Sequence, residues 1–222
     1  MASPDPLSEY LRLRDEITER ASVLFERYAP HVQCRRGCSS CCDEITVLPI
    51  ELEPLRTWLL EHGIPRSPQP GDPDSGRGET RRPRCAFLGR GGECTVYDGR
   101  PVICRTYGLP LAYRLYEYDM HGREVNPDDP EYADLWCDLN FSEVRGDEDN
   151  ARSYFDANGR INMDHVQRRI DALNDEFLLT EAGAPYRSRP PGEDRLPLGV
   201  LLEPGPVPTG PTPRARRRSG AP

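Results

Sequence analysis

Three amphipathic segments separated by short β-rich runs and turns predict an α+β fold: a small, irregular domain of packed helices with a short hairpin, organised by a cysteine cluster. The helical segments recur at three- and four-residue intervals, the strand-like runs are brief, and seven of the eight cysteines fall between positions 34 and 104. With 36% of 222 residues apolar, a core is affordable over part of the chain only, which suits one domain with tails.

In chain order, residues 6–29 place Leu7, Leu11, Ile17, Ala21, Leu24 and Tyr28 on one helical face, with Ser3 or Asp5 as cap and Pro30 as stop. The dense cysteine segment follows, then a β-rich run, Ile45 to Leu48. Pro49 opens a second helix over 49–62, whose apolar positions Ile50, Leu52, Leu55, Trp58 and Leu59 lead to Gly63. Residues 63–84 hold five prolines and four glycines among charges and are expected to form a flexible insertion. From Cys85, AFLGRGGECTVYDG reads as a hairpin, RPVICRTYG as a helical turn and LAYRLYEYD as a strand. Residues 121–158 are acidic and turn-rich around Leu135, Trp136, Leu139 and Phe141, and Asp128, Asp129, Glu131 and Asp134 read as a solvated face. A last helix over 162–179 carries Met163, Val166, Ile170, Leu173, Phe177 and Leu178. These boundaries divide the chain into an N-terminal helix (1–30), a cysteine-cluster domain (31–182) and a disordered Pro/Arg-rich tail (183–222).

Charge and targeting signals exclude several classes. The net charge of −8 argues against nucleic-acid partners except through the tail, where seven arginines face three acidic residues and Arg214, Arg216, Arg217 and Arg218 cluster. No run is long and apolar enough for a membrane span, and MASPDPLSEYLRLRDE has no basic and apolar leader, so the expected location is the cytoplasm. No P-loop, dinucleotide fingerprint or nucleophile elbow is present, which leaves catalysis open.

In a reducing compartment, clustered cysteines point to metal rather than to disulfides. Cys34, Cys38, Cys41 and Cys42 form a C-x3-C-x2-CC run, and the two-residue spacer lets Cys38 and Cys41 turn back on one ion. Neighbouring side chains diverge in extended backbone, so Cys41 and Cys42 more naturally face two ions, or two irons of one cluster; a strained vicinal disulfide is the alternative. Cys85, Cys94, Cys104 and Cys137 supply four more thiols: enough for two four-sulfur sites, or for one iron-sulfur cluster and a remainder. Arg35, Arg36, Arg84 and Arg105 adjoin cysteines and could offset thiolate charge. Asp98 and Arg100 are a candidate ion pair, His31 a candidate ligand or helix-end residue, and His62 a helix C-terminal residue.

The segments HVQCRRGCSSCC, CAFL and GGECTVYDGRPVICRTYG resemble the YkgJ-type family, the CxxCxxCC zinc- or iron-chelating domain, over roughly residues 31–110. Tyr97, Arg100, Pro101, Cys104 and Arg105 fall in the order of its second motif. The resemblance implies metal ligation by Cys34, Cys38, Cys41, Cys42, Cys85, Cys94 and Cys104; Cys137, outside the motifs, is assigned as the eighth ligand. The first spacer is three residues rather than the family's two, and the inter-cluster loop is long, so ligand pairing stays open. The expected function is therefore zinc or iron binding, with an iron-sulfur redox or group-transfer enzyme and an adaptor working through the basic tail as the other readings.

Overall fold

The computed structural model describes residues 4–35, 37–63, 84–89, 91–125, 127–143, 155–187 and 194–202. Of the expected insertion at 63–84, residues 64–83 lie outside these residues, as do Arg36 and the arginines from 214 onward.

Helix α1 runs Pro6–Arg27. Asp5 caps it by accepting from the Ser8 backbone N–H at 3.0 Å and the Ser8 hydroxyl at 2.7 Å, with Pro6 in the first turn where its missing N–H costs nothing. Its deepest residues are Tyr10, Leu13, Ala21 and Leu24, while Leu7, Leu11 and Ile17 pack at the margin. The buried stripe is thus rotated slightly from the expected one. Pro30 sits in a 3-10 turn, Ala29–His31, which closes the segment.

Helix α2, Pro49–Glu61, follows a two-residue strand β1, Thr46–Val47. Its first turn is satisfied from two sides: the Glu51 carboxylate accepts from Leu48 N–H at 3.1 Å, and Asn174 accepts from Ile50 N–H at 3.2 Å. Asn174 belongs to helix α4, Met163–Leu178, which is capped by Asn162. Between them lies the five-residue helix α3, Val102–Thr106. Helix α1 packs against α3 and α4, and α2 against α4 and α1, so the core of Leu13, Leu24, Leu52, Leu55, Ile170 and Phe177 is a three-helix contact with α3 at its edge.

The strands form two small sheets. In the first, β2 (Leu111–Arg114) lies between β3 (Tyr132–Leu135), antiparallel, and β4 (Ile161–Asn162), parallel. In the second, β1 pairs antiparallel with β5, Leu196–Pro197, in the register Val47↔Leu196. The expected hairpin after Cys85 is reduced to turns joined by a single bridge, Leu88↔Cys94, and the expected strand from Leu111 ends at Arg114.

Two expectations from composition are corrected. The tail does not begin at 183 as unordered chain: Tyr186 is buried against Phe177, and Leu196, Leu198, Val200, Leu201 and Leu202 enter the core. The run LPLGVLL is apolar enough to bury, a signal diluted by the prolines around it, and Pro197 is tolerated because its strand has one neighbour. Asp134, expected on a solvated face, sits in β3 with its side chain 3% exposed and pairs with Arg160 at 2.8 Å. Among the described residues no helix is long and apolar enough to cross a membrane.

Glu51 supplies a pH test of this packing. Burial, the dominant cause, pushes its carboxyl up to about 7, against the opposing pull of the Leu48 N–H and Arg195. Because the folded value lies above the usual carboxylate value, the protonated acid favours the fold: the contribution is complete below the unfolded value and is lost as pH rises through 7. Urea unfolding should show wild-type stability falling by about 3 kcal/mol relative to Glu51→Gln between pH 4.5 and 8. Parallel profiles for the two proteins would refute the buried acid.

Candidate metal centre

The first cysteine segment leaves the 3-10 turn at His31 as consecutive turns: Cys38 N–H donates to Arg35 carbonyl at 2.9 Å, and Cys42 N–H to Ser39 carbonyl at 3.0 Å. Gly37 takes φ +88° between them, a left-handed conformation that favours glycine. The second segment is laid directly across the first. Cys85 N–H donates to Cys42 carbonyl at 3.0 Å, Asp43 and Arg84 form a β-bridge, and Arg84 donates to Ser39 carbonyl at 2.5 Å and Asp43 carboxylate at 3.2 Å. Cys94 follows through its bridge to Leu88, Cys104 rides on α3, and Cys137 comes in just after β3.

All eight thiols are free. Their mutual influence divides them into two sets. Cys34 lies within electrostatic reach of Cys38 and Cys137, and Cys41 within reach of Cys34 and Cys137. Cys42, Cys85, Cys94 and Cys104 act on one another in the same way. The consecutive pair Cys41 and Cys42 is where the sets touch, through a thiol–thiol hydrogen bond. Among the described residues, no three Cys, His, Asp or Glu side chains are drawn close enough to hold a metal ion as they stand.

The environments differ in charge. The Cys41 thiol, by donating to it, holds Cys42 down to about 6, helped by Arg84 and Arg100; the same bond, with burial, raises Cys41. Burial pushes Cys85 up to about 11, against the Phe87 N–H that donates to its sulfur, and Cys104 up to about 12. Cys94 is raised by burial, countered by the Val96 N–H and Arg100. Cys34 is raised by burial, countered by Asn140.

The surroundings fit a thiolate-bound cation. Backbone N–H groups two residues beyond Cys85 and Cys94 point at those sulfurs, the kind of donation that stabilises sulfur carrying charge. Asn140, 0% exposed, donates to Cys34 Sγ at 3.4 Å and Gly108 carbonyl at 2.7 Å, and accepts from Gln33 N–H at 2.8 Å. Gly108, at φ +101°, leaves the space Cys34 occupies: a Cβ there would stand 2.7 Å from Cys34 Sγ. Next to Asn140, Phe141 takes φ +53°, a strained value for an aromatic residue, held by the edge-to-face cluster of Tyr28, Phe155 and Trp136. Clustered thiols are soft donors, which favour zinc or iron over hard cations.

Several sequence expectations change here. Arg100 does not pair with Asp98; it donates to Tyr97 carbonyl at 2.8 Å and lies 3.5 Å over the Tyr97 ring. Arg105 turns to the Arg100 carbonyl at 2.7 Å and to the Asp98 carbonyl, so Arg100, not Arg105, faces the sulfurs. His31 pairs with Glu143 and stacks on Phe141. His62 caps the end of α2, as expected, and also stacks on Trp58. Gly108 closes the second cysteine motif but is not marked there as a site residue, and Asn140 carries no signal in the sequence, lying three residues beyond Cys137 and outside any motif.

This geometry makes Gly108→Ala destabilising by about 1–3 kcal/mol from backbone strain alone, plus displacement of Cys34. Asn140→Ala strands the Gln33 N–H at a further cost of about 1–3 kcal/mol. Urea denaturation of the two variants would detect both; wild-type stability in either would contradict the clamp on Cys34.

No curated protein and no solved structure is significantly similar to the chain. A family model described as "CxxCxxCC: Putative zinc- or iron-chelating domain" matches residues 33–137, a span containing all eight cysteines, Gly108 and both arginines that face the sulfurs. Over residues 33–137, a little under half of its length, the chain is similar to the CxxCxxCC family of zinc- or iron-chelating domains.

Proposed function

We propose that the protein binds two thiophilic cations, zinc or iron, in two four-thiolate centres: Cys34, Cys38, Cys41 and Cys137 in the first, and Cys42, Cys85, Cys94 and Cys104 in the second. The observation that carries this reading is the division of the consecutive pair, with Cys41 grouped with Cys34 and Cys137 and Cys42 with the other three. When bound, each cation would supply charge to draw its thiolates together and a cross-link between distant chain segments. The protein's own contribution is to hold the ligands near one another, to donate N–H groups to sulfur from Asn140, Phe87 and Val96, and to keep the sites partly shielded from water.

Metal analysis of Cys41→Ser, Cys42→Ser and the double variant tests the division. Each single substitution should lose one equivalent, and the double should retain none. A double variant that still holds a full equivalent would mean both thiols serve one ion. Optical spectra of anaerobically purified protein separate zinc from iron, because a sulfide-bridged iron cluster is coloured. Chelation should lower the melting temperature by about 10 °C or more, and re-addition of the metal should restore it. An unchanged melt after proven metal removal would sink the proposal.

A further inference from the structure

Beyond Arg114 the chain leaves the sheet as a narrow two-stranded arm. Leu115 N–H donates to the Glu131 carbonyl and Val125 N–H to the Glu117 carbonyl, each at 2.8 Å, and Tyr118 and Glu124 form a single bridge. At the tip, the Asp119 carboxylate accepts from His121 N–H at 2.8 Å and from Arg123 N–H at 3.0 Å. Two strands alone enclose no core, so an arm of this kind gains stability only by covering its apolar side chains with something else. Here they are bare. Tyr116, Tyr118 and Met120, at alternate positions along one side of the arm, are 50%, 63% and 92% exposed, and Leu115 and Val125 are exposed as well. Apolar side chains concentrated this way on one short segment are the mark of a docking surface.

The arm is also acidic. Glu124 pairs with Arg114, and Asp119 with Arg123 at 2.9 Å, which engages both arginines of the arm. Glu117, Asp128, Asp129 and Glu131 are exposed and form no ion pair among the described residues. One contact within the arm illustrates the chemistry that suits it: the Arg114 guanidinium lies 5.1 Å from the centre of the Tyr116 ring while it pairs with Glu124. A fitting occupant brings guanidinium groups for the spare carboxylates, and proline rings, which lose little entropy on binding, for the aromatic side chains.

We propose that residues 203–222 of the same chain are that occupant, docking on the arm through Pro208, Pro211 and Pro213 and through the arginines that follow them. The described chain ends at Leu202, buried in the 3-10 helix Leu198–Leu202. The next twenty residues hold six prolines, and four arginines against the single carboxylate of Glu203. Arg214 is twelve residues past Leu202, a reach of up to about 40 Å, whereas a domain of about 160 residues has a radius of gyration of about 15 Å. The arm is therefore within range of the segment from wherever the segment leaves the core. Attachment to the same chain gives the contact an effective concentration in the millimolar range, so individually weak contacts suffice.

The test uses the full chain as purified. Its methionines are Met1, Met120 and Met163, so isotopic labelling of methionine methyl groups gives three NMR signals, and Met120→Leu assigns the one on the arm. Arg214→Ser, Arg216→Ser, Arg217→Ser and Arg218→Ser together should move the Met120 signal and leave that of the buried Met163 in place. Salt at about 1 M should move the wild-type signal toward the same position, because the screening length there is about 3 Å. Release of the tail by trypsin, followed by mass spectrometry, should be about tenfold faster in Tyr116→Ser/Tyr118→Ser than in wild type, with an unchanged melting temperature because both rings are exposed. A Met120 signal indifferent to the four arginine substitutions, or equal release rates, would overturn the proposal. A shift that fades on dilution would put the tail on a second copy and overturn the intramolecular contact. A Met120 signal that depends on protein concentration but not on the arginines would assign the arm to self-association instead.

Discussion

At Cys41 and Cys42 two consecutive thiols on a turn are hydrogen-bonded to each other, and each is also tied to a different stretch of the chain. Cys41 stays with the loop that begins at His31 and with the segment after β3, where Asn140 and Cys137 lie. The Cys42 carbonyl receives Cys85 N–H, so the second cysteine segment is registered against the first by backbone. The closures from 42 to 85 and from 39 to 84 begin within a few residues of this pair, while those at 31–33 and 108 run to the segment around Asn140. Loop-closure entropy grows slowly with length, so the long stretch between Cys42 and Cys85 is a modest burden on that registration.

The helical frame does not depend on sulfur. Leu13, Leu24, Leu52, Leu55, Ile170 and Phe177 meet with no cysteine among them, and their intervals along the chain make α1, α2 and α4 readable in the amino-acid order alone. The caps are readable too, since Asp5 and Pro6 declare a helix start by local chemistry. What periodicity does not convey is burial of isolated polar groups. Asn174, Glu51, Asp134 and Asn140 each owe their place to a partner brought in by the fold, and a single chain carries no mark of such partners. The apolar run at 196–202 is hidden for a different reason: an average over proline-rich surroundings erases a short segment able to pair with β1.

The cysteines are legible as a set, while their grouping is legible only at one point. Adjacency at 41 and 42 announces two directions, yet nothing in the spacing of Cys85, Cys94, Cys104 and Cys137 says which direction each would join. Chain topology supports the proposed grouping. Cys137 follows β3 and is tied, through Asn140, to the loop bearing Cys34, whereas Cys85, Cys94 and Cys104 occupy one continuous run folded on Cys42. Under the proposed grouping, proximity in sequence misleads for Cys137 and informs for the other three.

Electrostatics around the run at 97–105 follows from how two arginines divide their work. Arg105 directs its guanidinium at the carbonyls of Arg100 and Asp98, fixing the loop that leads into α3. That loop geometry lifts Arg100 over the Tyr97 ring, where the aromatic face and the Tyr97 carbonyl hold the cation without cancelling its charge. A carboxylate in the same place would have bound Arg100 equally well and removed the field it exerts on Cys42, Cys94 and Cys104. Holding a cation by a quadrupole and a carbonyl instead leaves its charge available to thiolates nearby, which is why Tyr97 matters to sulfurs it does not touch.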